Sequence, residues 1–199
     1  MPLLYLLLAY FLIGEPLLDV PSKYVSRTGH IHVESHSRYL DVVADNYQVY
    51  CELIPSSGQI QIRGLIKSFE FKLGALDQAF NSEKVNLNQY SKFTYEGRVT
   101  NIKKINFSKP GDYPVNVKGT LYIGNYKRIT NASGTVQIQP DGSMRTNTSF
   151  QIRIEEESMQ TINRLMKEKL PSIIALDAQK LGISRDIQLA LKAKFRPRG

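Results

Sequence analysis

The chain has 199 residues, 42% of them hydrophobic and 10% aromatic, which is material for one domain with a sizeable core and argues against disorder. Its 26 Lys and Arg against 18 Asp and Glu give a net charge of +8, but the basic residues are scattered and no nucleic-acid-binding motif accompanies them, so nucleic acid is not an expected partner. A single cysteine, Cys51, excludes an intrachain disulfide and any metal centre built from cysteine pairs.

In chain order, the first feature is the uncharged apolar run "LLYLLLAYFLI" from Leu3 to Ile13. Its length is that of a signal-peptide core rather than a membrane span. Residues 1–18 therefore read as a signal peptide and 19–28 as a lead-in, with export to the periplasm or beyond as the expectation. The alternative is an uncleaved N-terminal membrane anchor or a buried segment.

From Gly29 the dominant period is two, the signature of strands with one buried face. "GHIHVES" alternates Ile31 and Val33 against His30 and His32, and "NYQVYCELI" aligns Tyr47, Val49, Cys51 and Leu53. "QIQIRGLIKSFEF" reads as one long strand with Ile60, Ile62, Gly64 and Ile66 on a face, its phase slipping by one residue after Ile66. The spacing of Leu73, Leu76 and Phe80 predicts a short helix next. "FTYEGRVTNI" then aligns Phe93, Tyr95, Gly97 and Val99. Two strands around Val117–Ile123 and Ala132–Ile138 follow, each with a glycine, Gly119 or Gly134, where a large apolar residue is expected. "RTNTSFQIRIE" aligns Thr148, Phe150, Ile152 and Ile154, and "DIQLALKAKF" closes the set with Leu189, Leu191 and Phe195. Between these last two, Met159, Ile162, Leu165 and Met166 predict a helical insertion over about 156–182.

Eight strands joined largely by short turns most simply close into an all-β antiparallel barrel or form a sandwich. Gly64, Gly97, Gly119 and Gly134 fall on the inferred inward face of four strands. They serve to bend the wall, or to leave an apolar channel free of side chains for a slender ligand.

Chemistry is sparse. His30, His32 and His36 share one side of a strand, with His30 and His32 about 7 Å apart and His36 about 13 Å further on. Two of them would hold a metal only with a third ligand from elsewhere, so they read as surface histidines and no metal site is assigned. Glu155–Glu157 are explained by a helix N-terminus. No nucleophile elbow, phosphate loop or dinucleotide fingerprint is present, so neither an enzyme nor a cofactor is expected.

The segments "GHIHVESH", "ADNYQVYCELIPSSGQIQIRGLIKSFEF", "KFTYEGRVTNI", "GDYPVNVKGTLYIGNYKRITNASGTVQI" and "SFQIRI" resemble, in order and spacing, the YceI-like family of polyisoprenoid-binding proteins, in its Bacteroidetes-type branch. The resemblance spans about residues 29 to 154, and the strand near 185–195 fits as well. It implies a lipocalin-like eight-stranded antiparallel barrel over 29–196 that encloses an isoprenoid or other amphiphilic lipid without catalysis. The implied ligand-facing positions are Ile31, Val33, Ile62, Ile66, Phe69, Phe71, Phe93, Tyr95, Val117, Leu121, Val136, Phe150 and Leu189, beside the four glycines. The chain departs from the family pattern at "GNYKRI", which lacks a proline, and in the long helical segment, which is either a lid, a membrane-surface contact or simple packing on the barrel. A filled, ligand-free envelope module is the alternative to a carrier.

Overall fold

The computed structural model describes residues 18–36, 41–74, 77, 91–153 and 184–199. Its elements are β1 (Lys23–Ser35), β2 (Val42–Ile54), β3 (Gln59–Leu65), β4 (Glu70–Phe71), β5 (Lys92–Val99), β6 (Gly111–Ile123), β7 (Tyr126–Ile138), β8 (Met144–Arg153) and β9 (Asp186–Arg198). Eight of these hydrogen-bond antiparallel in the order β1-β9-β8-β7-β6-β5-β3-β2, and β1 pairs back onto β2. The sheet is thereby a closed eight-stranded barrel, which leaves no long edge unpaired. The two-residue β4 is an addition at the start of β2, where Phe71 pairs with Ala44.

Alternation places the apolar face inside, as expected, with corrections where the phase changes. Between Ser26 and Gly29 the register of β1 against β2 shifts, and it shifts again between Gly29 and Ile31. The second shift is a β-bulge at Tyr47 and Gln48 that inverts the pleat of β2. Tyr47, expected to align with Val49, is consequently 54% exposed, while Asn46 is fully buried. The Asn46 amide donates to the Leu65 carbonyl (2.9 Å) and its Oδ1 accepts from the Gln48 amide (2.9 Å), so the kink is held by a satisfied polar group.

Residues 59–71 are not one strand. β3 stops at Leu65, a 3-10 turn occupies Ile66–Ser68, and β4 follows. The slip of phase after Ile66 is this turn. At the other end of the chain, β1 starts at Lys23 rather than Gly29, because Lys23–Val25 pair with Pro197 and its neighbours on β9. The "GNYKRI" stretch forms a two-residue turn, Gly124–Asn125, with Gly124 at φ 56, and its remaining residues belong to β7. The helices expected near Leu73–Phe80 and over 156–182, like the N-terminal apolar run, lie almost wholly outside the described residues.

The two ends of the barrel differ. At the end where β1 begins, the connection from β5 to β6 folds inward, burying Ile105 and Phe107, and Phe107 packs on Tyr24 with ring centroids 5.7 Å apart. Leu53, Val99, Val115, Ile138, Met144 and Phe195 complete a sealed apolar end. At the end where β1 finishes, Val33, Ile66, Phe69, Ile123, Phe150 and Leu189 pack against the core but stay partly accessible.

Candidate functional site, the barrel lumen

The lumen is an apolar tube whose wall includes Leu53, Ile62, Tyr95, Val117, Val136, Phe150 and Leu191. Among the described residues, two threonines, Thr146 and Thr148, and the Tyr95 hydroxyl are the polar groups of its lining side chains, and no charged residue lines it. The space left unfilled is about 30 Å³, well below the ~150 Å³ of an apolar cavity that admits one benzene. An alkyl chain can therefore enter only by displacing side chains.

Tyr95 and Phe150 are the two aromatic rings that meet along the cavity wall. The Tyr95 ring lies over Gly119, where an added Cβ would stand 2.6 Å from its Cζ, and its hydroxyl donates to the Thr130 carbonyl at 3.3 Å. Gly119 is paired with Thr130, so the ring crosses β6 over its glycine to reach β7. Burial pushes the phenol up to about 12. Phe150 from β8 stacks against Tyr95 with centroids 6.3 Å apart and 26° between planes. Gly64 plays the same part beneath Phe93, whose Cζ would be 2.7 Å from an added Cβ. At Gly134 and Gly97 the obstacle is backbone: the Asn147 carbonyl and Thr148 Cα of β8 for the first, the Lys118 carbonyl for the second. The positions expected to leave a channel are thus taken up by rings or by closely approaching strands.

Of the positions implied by the resemblance, Ile62, Tyr95, Val117, Val136 and Phe150 line the residual cavity. Ile31, Phe93 and Leu121 are buried core residues that do not border it, and Val33, Ile66, Phe69 and Leu189 pack at the more accessible end. Phe71 stands apart from the lumen lining, on β4 beside Ala44. Not assigned from the sequence were Leu53, Val99, Val115, Met144, Leu191 and Phe195, which also line the cavity. Period-two alignment marks most of these as inward; Val115 and Met144 precede the strand starts inferred from the pattern. Cys51 is fully buried, and desolvation pushes its thiol up to about 12, which makes it an inert core group.

No protein-family model matches the sequence, and a comparison with curated proteins returns no match. Solved structures do match. A polyisoprenoid-binding domain from Saccharophagus degradans, implicated in plant cell wall breakdown, superposes with a TM-score of 0.66 at 12% identity, covering 90% of this chain and 100% of that one. The YceI protein of Campylobacter jejuni covers 82% of this chain and 85% of its own at 14% identity, with a TM-score of 0.44. The chain shares the fold of that polyisoprenoid-binding domain: a closed, eight-stranded antiparallel barrel with an apolar lumen.

Proposed function

We propose that the chain is a member of the YceI-like family and a non-enzymatic carrier that takes the apolar tail of an isoprenoid or other long-chain amphiphilic lipid into the barrel. The observation that carries this reading is the lumen itself, a closed tube without charged lining residues among those described, sealed at one end and lined at the other by partly accessible apolar side chains. Each methylene drawn in from water contributes about 0.8 kcal/mol. Against this stands the cost of moving Tyr95 and Phe150, so the empty and loaded barrels differ chiefly in those rings. Entry is by the end where Val33, Phe69 and Leu189 lie, since Phe107 and Tyr24 block the other. The Leu3–Ile13 run supports export, and the carrier then works in the cell envelope.

The small residual cavity favours a second reading, a filled barrel that serves as an envelope interaction module. Mass spectrometry of organic extracts from protein purified out of its source cells separates the two. The carrier reading expects a lipid at near-stoichiometric amount; repeated recovery of lipid-free protein that also fails to take up added quinone or polyprenol supports the filled module.

A further inference from the structure

On the outside of the barrel, β1 and β2 bring together three groups that the lumen does not use. His32 is directly opposite Asp45 in the ladder, and His30 is two residues earlier on the same face. Asp45 Oδ1 is 2.6 Å from His30 Nε2 and 2.7 Å from His32 Nδ1, and no two of the three donor atoms are more than 4.8 Å apart. All three side chains are half-buried.

We propose that His30, His32 and Asp45 form a three-ligand site for a divalent transition-metal ion of the zinc type. Two imidazoles with one carboxylate suit such an ion rather than calcium or magnesium, which take oxygen ligands. Ligands at ~2.0–2.1 Å around a tetrahedral ion stand ~3.3 Å from one another. Reaching that spacing requires Asp45 to withdraw slightly from each imidazole, a movement a side chain makes without the backbone.

The surroundings already hold the ligands in place. His32 Nε2 lies 2.9 Å from Glu34 Oε1. His32 Nδ1–H donates to Asp45 at 2.7 Å; a metal ion would take the place of that proton while Nε2–H stays on Glu34, the carboxylate–histidine–metal arrangement that fixes a ligand's tautomer. His30 is held from the other side by Tyr47, stacked at 4.4 Å between centroids and 13° between planes. Tyr47 faces outward only because of the bulge in β2, so the feature that buries Asn46 also builds the support for His30. His36 is no part of the triad: it is 60% exposed and sits near Asp41 and Glu34.

The test uses the full chain, untagged and stripped with chelator, titrated with Zn²⁺ by calorimetry and with Co²⁺ by visible absorption. One equivalent is expected to bind, with the intense visible bands of four-coordinate Co²⁺. His32→Ala and Asp45→Asn each weaken binding at least 100-fold, Glu34→Gln weakens it about 10-fold, and His36→Ala leaves it unchanged. A Zn²⁺-dependent rise in Tm is expected in the wild type and absent in His32→Ala. In case a variant folds poorly, the imidazole nitrogen NMR signals of the wild type are followed during the titration, with those of His30 and His32 moving together. Absence of saturable binding, binding that survives His32→Ala, or binding that requires His36 overturns the proposal.

Discussion

At Gly119 the barrel wall is as thin as a polypeptide allows, and Tyr95 uses that depth to cross β6 and reach the Thr130 carbonyl. A side chain there meets the Tyr95 ring on one side and the Glu96 carbonyl on the other. Gly119→Leu is therefore expected to destabilise the fold by more than the 1–3 kcal/mol typical of overpacking, read as a lowered urea midpoint. A variant as stable as wild type would show that Tyr95 swings away freely. The sequence marked Gly119 and its three counterparts as anomalous, but period alone does not say whether a missing side chain is empty space or a seat for a neighbour's ring. Two buried acids give a pH dependence. Cys51 and Tyr95 both stand at about 12, against ordinary values of 9.0 and 10.0. The folded chain thus keeps protons that the unfolded chain loses, so stability is complete below about pH 9 and falls as pH rises toward 12. Urea unfolding at a series of alkaline pH values is expected to show this decline, with a shallower slope in Cys51→Ala.

The β1–β2 pair shows how an element departs from its pattern without losing its face. Alternation read from Val49 to Leu53 is correct, and extending it back to Tyr47 fails, because the bulge supplies an extra residue. A period-two pattern carries no mark of such an insertion when the residue turned inward is polar, as Asn46 is. Asn46→Ala removes both hydrogen bonds of a fully buried side chain and is expected to cost about 2 kcal/mol, taking ~1 kcal/mol for each. An unchanged unfolding midpoint would mean that the bulge is held by the ladder alone. The same limit applies after Leu65, where a turn and a two-residue strand mimic the continuation of β3. Number and order of the long strands were legible, since each carries its own alternating run. The Asp45 partner of His30 and His32 was not, since it depends on register between two strands.

For the molecule as a whole, closure and the difference between the two ends do the functional work. Closure pairs each of the eight long strands with a neighbour on both sides. The inturned connection with Ile105 and Phe107 makes one end a floor. The fold was legible as a barrel because eight one-sided strands have few other ways to bury their faces, whereas the nearly filled lumen depends on ring positions that the sequence does not record. The claim that a lipid tail occupies that lumen is tested most directly by photocrosslinking with an isoprenoid chain that carries a diazirine near its apolar end, followed by peptide mass spectrometry. Adducts on the lumen residues Tyr95, Val136 and Phe150, competed by unlabelled polyprenol, are the expected result. Adducts confined to the outer wall, or none at saturating probe, would contradict it.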